Sequence, residues 1–130
     1  MVAVAALAAA CANDATTPSQ QPAFTKTDLA LGNGNVAQLG NTLTVNYSGW
    51  LYDPSKTDFK GLLFDSGTNF QFALGTGQVI QGWDQGLLGM NIGGLRRLLV
   101  PASLAYGANR SGKIPPNAAL VFDVQLVNVQ

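Results

Sequence analysis

Val79-Ile80-Gln81-Gly82-Trp83-Asp84-Gln85-Gly86-Leu87 is the stretch that decides the fold. Ile80, Trp83 and Leu87 recur at i, i+3 and i+7, so they share one face of a short helix predicted from Ile80 to Leu88, with Gly89 as its C-terminal stop. Gly82 and Gly86 each cost such a helix about 1 kcal/mol relative to alanine. It cannot persist alone and must be held by something packed against it.

The flanking segments can supply that support. From Thr42 the chain alternates, with Leu43, Val45, Tyr47, Gly49 and Leu51 on one face and polar residues mostly on the other, the period of a half-buried strand. Tyr47 is therefore expected to point inward. Phe70 to Leu74 alternates likewise and ends at the turn Gly75-Thr76-Gly77, while Leu95 to Val100 and Leu120 to Val129 are β-rich. The implied class is α+β, a curved antiparallel β-sheet wrapped around one short α-helix. Asp53 to Leu63 reads as an exposed loop, with Phe59 either tucked back or presented to a client. Asp65-Ser66-Gly67 has turn chemistry, Asp123 reads as a cross-strand hydrogen-bonding residue, and Arg96 and Arg97 read as solvated or snorkelling strand residues.

Composition narrows the function. The chain has 130 residues, 47% apolar and 11% charged, enough for one core and too few for two domains. Seven basic and seven acidic side chains cancel, with no basic run beyond Arg96-Arg97, so nucleic acid is not an expected partner. With no histidine, imidazole-based metal sites and Ser/His or Cys/His nucleophile pairs are excluded. The only cysteine is Cys11, which leaves no intrachain disulfide. Gly75-x-Gly77 is no dinucleotide loop, since Ile80 stands at the third glycine position and no βαβ unit surrounds it. Neither a metal nor a cofactor is expected.

Val2 to Ala10 is an apolar run of signal-peptide length, far short of the roughly 20 residues of a membrane span. Leu7-Ala8-Ala9-Ala10-Cys11 resembles a bacterial lipobox, with Ala8 where leucine is usual. The expected organisation is a signal and lipobox-like segment over 1–11, a polar tether over 12–23 and a folded domain over 24–130. The implied location is exported, periplasmic or cell-envelope, with a membrane tether through lipidated Cys11. Cleaved export and a cytoplasmic protein are the alternatives.

The helix motif, followed by Ala105-Tyr106-Gly107, Ile114-Pro115-Pro116-Asn117 and the strand from Leu120, resembles the FKBP family of macrolide-binding peptidyl-prolyl isomerases from about Thr27 to the C-terminus. The resemblance implies an enzyme that accelerates cis/trans exchange at Xaa-Pro bonds in peptides and unfolded proteins, with macrolides as inhibitors. It implies a catalytic set of Tyr47, Phe64, Asp65, Trp83 and Tyr106: Tyr47 and Phe64 on the pocket wall, Asp65 at a polar rim, Trp83 as the floor under the proline ring, and the Tyr106 hydroxyl bonding the peptide. It further implies a substrate-binding wall of Phe70, Val79, Ile80, Ile114 and Phe122, with the Ile80 N–H offered to a ligand carbonyl. Phe72 and Leu87 are expected to be ordinary core. The stretch from Phe64 to Phe70 lacks the basic residue common in relatives, leaving the partner of Asp65 open, and Lys113 replaces an apolar residue at the rim.

Such chemistry suits a chain without histidine. Rotation about an Xaa-Pro bond meets a barrier of about 18–20 kcal/mol, but no covalent bond breaks and no proton need move. A twisted amide has lost part of its charge separation, so an apolar socket accepts it at lower cost than the planar form. The same cleft could instead serve a peptide-binding or chaperone module without catalysis.

Overall fold

The computed structural model describes residues 21–130; the signal-like segment, Cys11 and the tether up to residue 20 lie outside the described residues. Five strands and one α-helix follow in the order β1 (Thr25–Ala30), β2 (Thr42–Tyr52), β3 (Lys60–Ala73), α1 (Gln81–Gly86), β4 (Leu95–Val100) and β5 (Leu120–Val129), with a 3-10 turn at Ala102–Leu104. The strands form one sheet in the order β1-β4-β5-β2-β3, every neighbouring pair antiparallel. The expected class is observed.

The alternation in β2 sets its inner face: Leu43 and Val45 are fully buried, Gly49 is buried, and Tyr47 and Leu51 are half-buried. Phe122, Val124 and Leu126 continue that surface from β5, which lies between β4 and β2. Across it lies α1, whose Trp83 and Gly86 are buried along with Leu87 just beyond its end. The two helix glycines now have a packing reason. A Cβ at Gly82 would lie 2.6 Å from Val100 Cγ1, and one at Gly86 2.7 Å from Leu98 Cδ2, so the missing side chains let the helix lie down on β4.

Four sequence expectations need correction. The helix is one turn and a half, Gln81 to Gly86, with Ile80 and Leu87 as its caps. Only the first part of Asp53 to Leu63 is a loop, because Lys60 already pairs with Tyr52 and Leu63 with Trp50. Phe59 is tucked back, stacked on Tyr52 at 5.5 Å. Asp65 to Gly67 is strand rather than turn, paired with Gly49 to Tyr47, and the irregularity falls at Thr68-Asn69, where Asn69 takes φ 55° and its N–H donates to Asn46 Oδ1 at 2.9 Å.

The fourth correction is Arg96, which is 8% exposed rather than solvated. In the β4 alternation it shares the inner face with Leu98 and Val100. Its guanidinium donates to Asp28 Oδ1 at 2.7 Å, to the Gly86 carbonyl at 2.8 Å and to the Leu88 carbonyl at 3.1 Å. One side chain thus satisfies carbonyls at the helix end and ties them to β1. Arg97, on the opposite face, pairs at 2.7 Å with Asp123, which also accepts from Lys60 at 2.8 Å. That cross-strand role is the one expected of Asp123.

β1 had no sequence expectation. All six of its residues are exposed, so it carries no burial pattern, and its order comes from pairing with β4.

Candidate functional site

Between α1 and the inner face of the sheet lies a concavity of about 290 Å³. β2 contributes Tyr47, β3 contributes Phe64, Asp65 and Phe70, and β5 contributes Phe122. The connection into α1 adds Gln78, Val79 and Ile80, α1 adds Trp83, and the loop after β4 adds Tyr106. Every residue singled out from the sequence is brought to this concavity except Ile114. That residue is 4% exposed and sits in the core, its turn closed by paired backbone bonds between Ser111 and Ile114. Phe72 and Leu87 are buried core, as expected.

Trp83 is enclosed by aromatic rings. Tyr47 meets it edge-on at 5.1 Å and 78°, Phe122 at 5.4 Å and 81°, and Phe70 at 6.1 Å and 73°. Phe64 stands edge-on to Phe122 at 5.7 Å. The indole Nε1 is buried without a hydrogen-bond partner, so the floor presents ring carbon and no accessible polar atom. Two glycines make room for these rings. A Cβ at Gly49 would reach within 2.7 Å of Phe64 Cζ, and one at Gly67 within 2.8 Å of Tyr47 Cε1.

The polar rim is built by Tyr47 and Asp65, whose partner the sequence left open. The Tyr47 hydroxyl donates to Asp65 Oδ2 at 2.8 Å. Burial, and then this bond to a carboxylate, push the Tyr47 phenol up to about 12. The phenol therefore remains a neutral donor across the physiological range. Tyr106 lies at the mouth, 39% exposed, and Phe70 is similarly open at 40%.

Two residues that position the site went unnoticed in the sequence. Gln78 lines the concavity while its Oε1 accepts from the Ala73 N–H at 2.9 Å, closing the end of β3. Asp84, on α1, accepts from the Gly75 N–H at 2.8 Å and the Gly77 N–H at 3.1 Å, both glycines having positive φ. Its carboxylate pins that turn to the helix and so fixes the path into Val79 and Ile80. Asp84 falls one residue after the floor tryptophan and Gln78 one before the aliphatic pair, and that adjacency was the available signal.

A larger groove of about 590 Å³ lies over the polar face of β2, lined by amides and hydroxyls such as Asn46, Ser48 and Gln125. Its carboxylate, Asp123, is already engaged by Arg97 and Lys60, so the smaller apolar concavity is the better chemical site. Among the described residues no group of acidic, cysteine or histidine side chains could hold a metal ion, and no helix is long and apolar enough to cross a membrane.

The arrangement is an aromatic socket for one compact apolar ring, with a neutral hydroxyl and a carboxylate at one edge. The sequence model of a family described as FKBP-type peptidyl-prolyl cis-trans isomerase matches residues 34–127. The chain is 44% identical over 103 residues to the FK506-binding protein of Neisseria meningitidis serogroup B, covering 78% of this chain and 92% of that protein. It is 47% identical over 91 residues to FK506-binding protein 2 of Dictyostelium discoideum, covering 69% of this chain and 66% of the relative. It spans only 20% of FK506-binding protein 4 of Gibberella zeae, at 44% identity over 103 residues. The crystal structure of AtFKBP13 superposes with a TM-score of 0.70 at 32% identity, covering 86% of this chain and 98% of that one.

Proposed function

From the premise that the chain belongs to the FKBP-type peptidyl-prolyl cis-trans isomerase family, we propose that it accelerates cis/trans exchange at Xaa-Pro bonds in peptides and unfolded proteins, through the concavity floored by Trp83. The observation that carries this reading is the ring of Tyr47, Phe70 and Phe122 edge-on around an indole whose only polar atom is closed off. Such a floor suits a pyrrolidine ring, and the polar groups of Tyr47 and Asp65 are confined to the edge of the concavity.

Catalysis then proceeds by solvation. The proline ring rests on Trp83 and between Phe64 and Phe122, while the amide carbonyl turns out of plane near the Tyr47-Asp65 rim. The perpendicular amide is less dipolar than the planar one, so the apolar wall favours it relative to water. Val79 and Ile80 hold the chain on one side of the proline, the Ile80 N–H bonding a peptide carbonyl, and Tyr106 bonds it on the other. No side chain needs to change its protonation state. Macrolides of the kind named for the relatives would compete for the same socket.

We read the N-terminus as a lipoprotein signal that anchors the domain in the cell envelope through Cys11, supported by the apolar run Val2 to Ala10 before that cysteine. Mass spectrometry of the native N-terminus tests this: a diacylglyceryl group on Cys11 is expected, and an intact Met1 would overturn it.

The isomerase reading is tested by exchange spectroscopy on a cis-enriched Xaa-Pro peptide. The protein is expected to accelerate exchange, and W83A to lose at least about tenfold in kcat/KM. Equal rates with and without protein, while unfolded protein still binds, would favour the non-catalytic binding module.

A further inference from the structure

The loop between β4 and β5 carries Tyr106 to the mouth of the concavity. Its base is drawn together by two backbone bonds, from the Gly107 N–H to the Ala102 carbonyl at 2.8 Å and from the Asn117 N–H to the Gly107 carbonyl at 2.7 Å. Gly107 and Asn117 have φ of 58° and 59°, so the loop reverses direction at both positions.

One side chain from outside the loop spans the same base. Gln21 Oε1 accepts from the Ala102 N–H at 2.7 Å, and Gln21 Nε2 donates to the Asn117 carbonyl at 3.0 Å. Ala102 opens the loop and Asn117 closes it, so a single primary amide bonds both sides. A cavity of about 350 Å³ lies beside this crossing, lined also by Pro101 and Ser103. Gln21 is itself exposed, so the amide bonds rather than buried packing make the connection.

We propose that Gln21 is a positioning residue for the candidate site, a staple that holds the two sides of the Tyr106 loop in register and thereby sets the rim that meets residues flanking the bound proline. The role rests on the isomerase reading above. It joins the segment just before β1, which composition alone assigns to the tether, directly to the mouth of the site. A change in that segment would be felt as altered substrate grip, with the floor at Trp83 untouched.

The test compares the whole wild-type protein with Q21A and Q21E, using exchange spectroscopy on Xaa-Pro peptides. Removing two partly solvated hydrogen bonds is expected to raise KM in Q21A by about 3–10-fold while kcat stays within about twofold. At neutral pH Q21E keeps the acceptor for Ala102 but turns a carboxylate oxygen toward the Asn117 carbonyl, so its KM rises at least as much. A protonated carboxyl both accepts and donates, so the KM of Q21E should fall back toward wild type as pH drops toward about 4.3. Wild type should show no matching change.

A wild-type KM in Q21A, or a Q21E KM that ignores pH, overturns the proposal. So does a loss confined to kcat. If wild type itself shows no turnover, the isomerase reading fails and the positioning role with it. Amide hydrogen exchange at Ala102 then decides the staple separately: about tenfold faster exchange in Q21A supports it, and unchanged exchange removes it.

Discussion

The Tyr47 hydroxyl and the Asp65 carboxylate, on neighbouring strands β2 and β3, are joined by a 2.8 Å hydrogen bond at the edge of an otherwise aromatic concavity. The strands bring them together because Asp65 continues β3, where turn chemistry would have carried it away.

This pair predicts a late tyrosine titration. The Tyr47 phenol ionises near 12 when folded and near 10 when unfolded. Its stabilising effect is complete below about pH 10 and is lost as pH rises toward the folded value, because the unfolded chain releases the proton first. Tyrosinate absorbance of wild type minus Y47F should therefore rise well above pH 10. A difference that titrates at about 10 would show that the bond is absent in solution.

Gly82 predicts a packing limit. G82A gains about 1 kcal/mol of helix propensity, but its Cβ would meet Val100 Cγ1 at 2.6 Å. The clash costs about 1–3 kcal/mol, so urea unfolding should show a net loss. A stabilised G82A would mean that the helix stands further from β4 than described.

Arg96 predicts a larger loss. R96M leaves the Gly86 and Leu88 carbonyls and Asp28 without their donor, which should cost about 2–4 kcal/mol in chemical denaturation. D28N keeps the two carbonyl bonds and should cost less. Equal losses would assign the effect to the Asp28 pair alone.

Asp123 predicts an acid-dependent term. Burial by itself would raise this carboxyl, yet hydrogen bonds from Arg97 and Lys60 hold it below the usual aspartate value. Its contribution is therefore present above about pH 3.9 and is lost as pH falls through the lower folded value. D123N should show a shallower decline of stability below about pH 4, measured by thermal unfolding across pH. Macrolide binding should be unchanged in D123N and weakened in I80D; an equal effect in both would contradict the site geometry.

The sequence revealed the site more fully than the sheet edges. Tyr47 was legible from the strand period of β2, whereas the period alone makes Trp83 and Phe122 ordinary core rings, and only the resemblance of the surrounding motifs marked them as site residues. Ile114 was assigned to the wall by the resemblance alone, with no period to bear on it, and its tight turn with Ser111 leaves it 4% exposed in the core. β1 left no trace, since an exposed edge strand needs no alternation, and the start of β3 was hidden beneath a polar hairpin loop. Arg96 could have been recognised: it falls in step with Leu98 and Val100, but its charge outweighed its position. Gln21 carried no signal, because what it joins is distant in sequence.

The sequestered nitrogen of the Trp83 indole has a thermodynamic corollary. A surface without reachable donors or acceptors rewards area and shape alone, so association there should display a marked negative heat-capacity change. Decorating a ligand's buried ring with heteroatoms should then only weaken it. Selective inhibitors will owe their discrimination to the groups they extend over the lip.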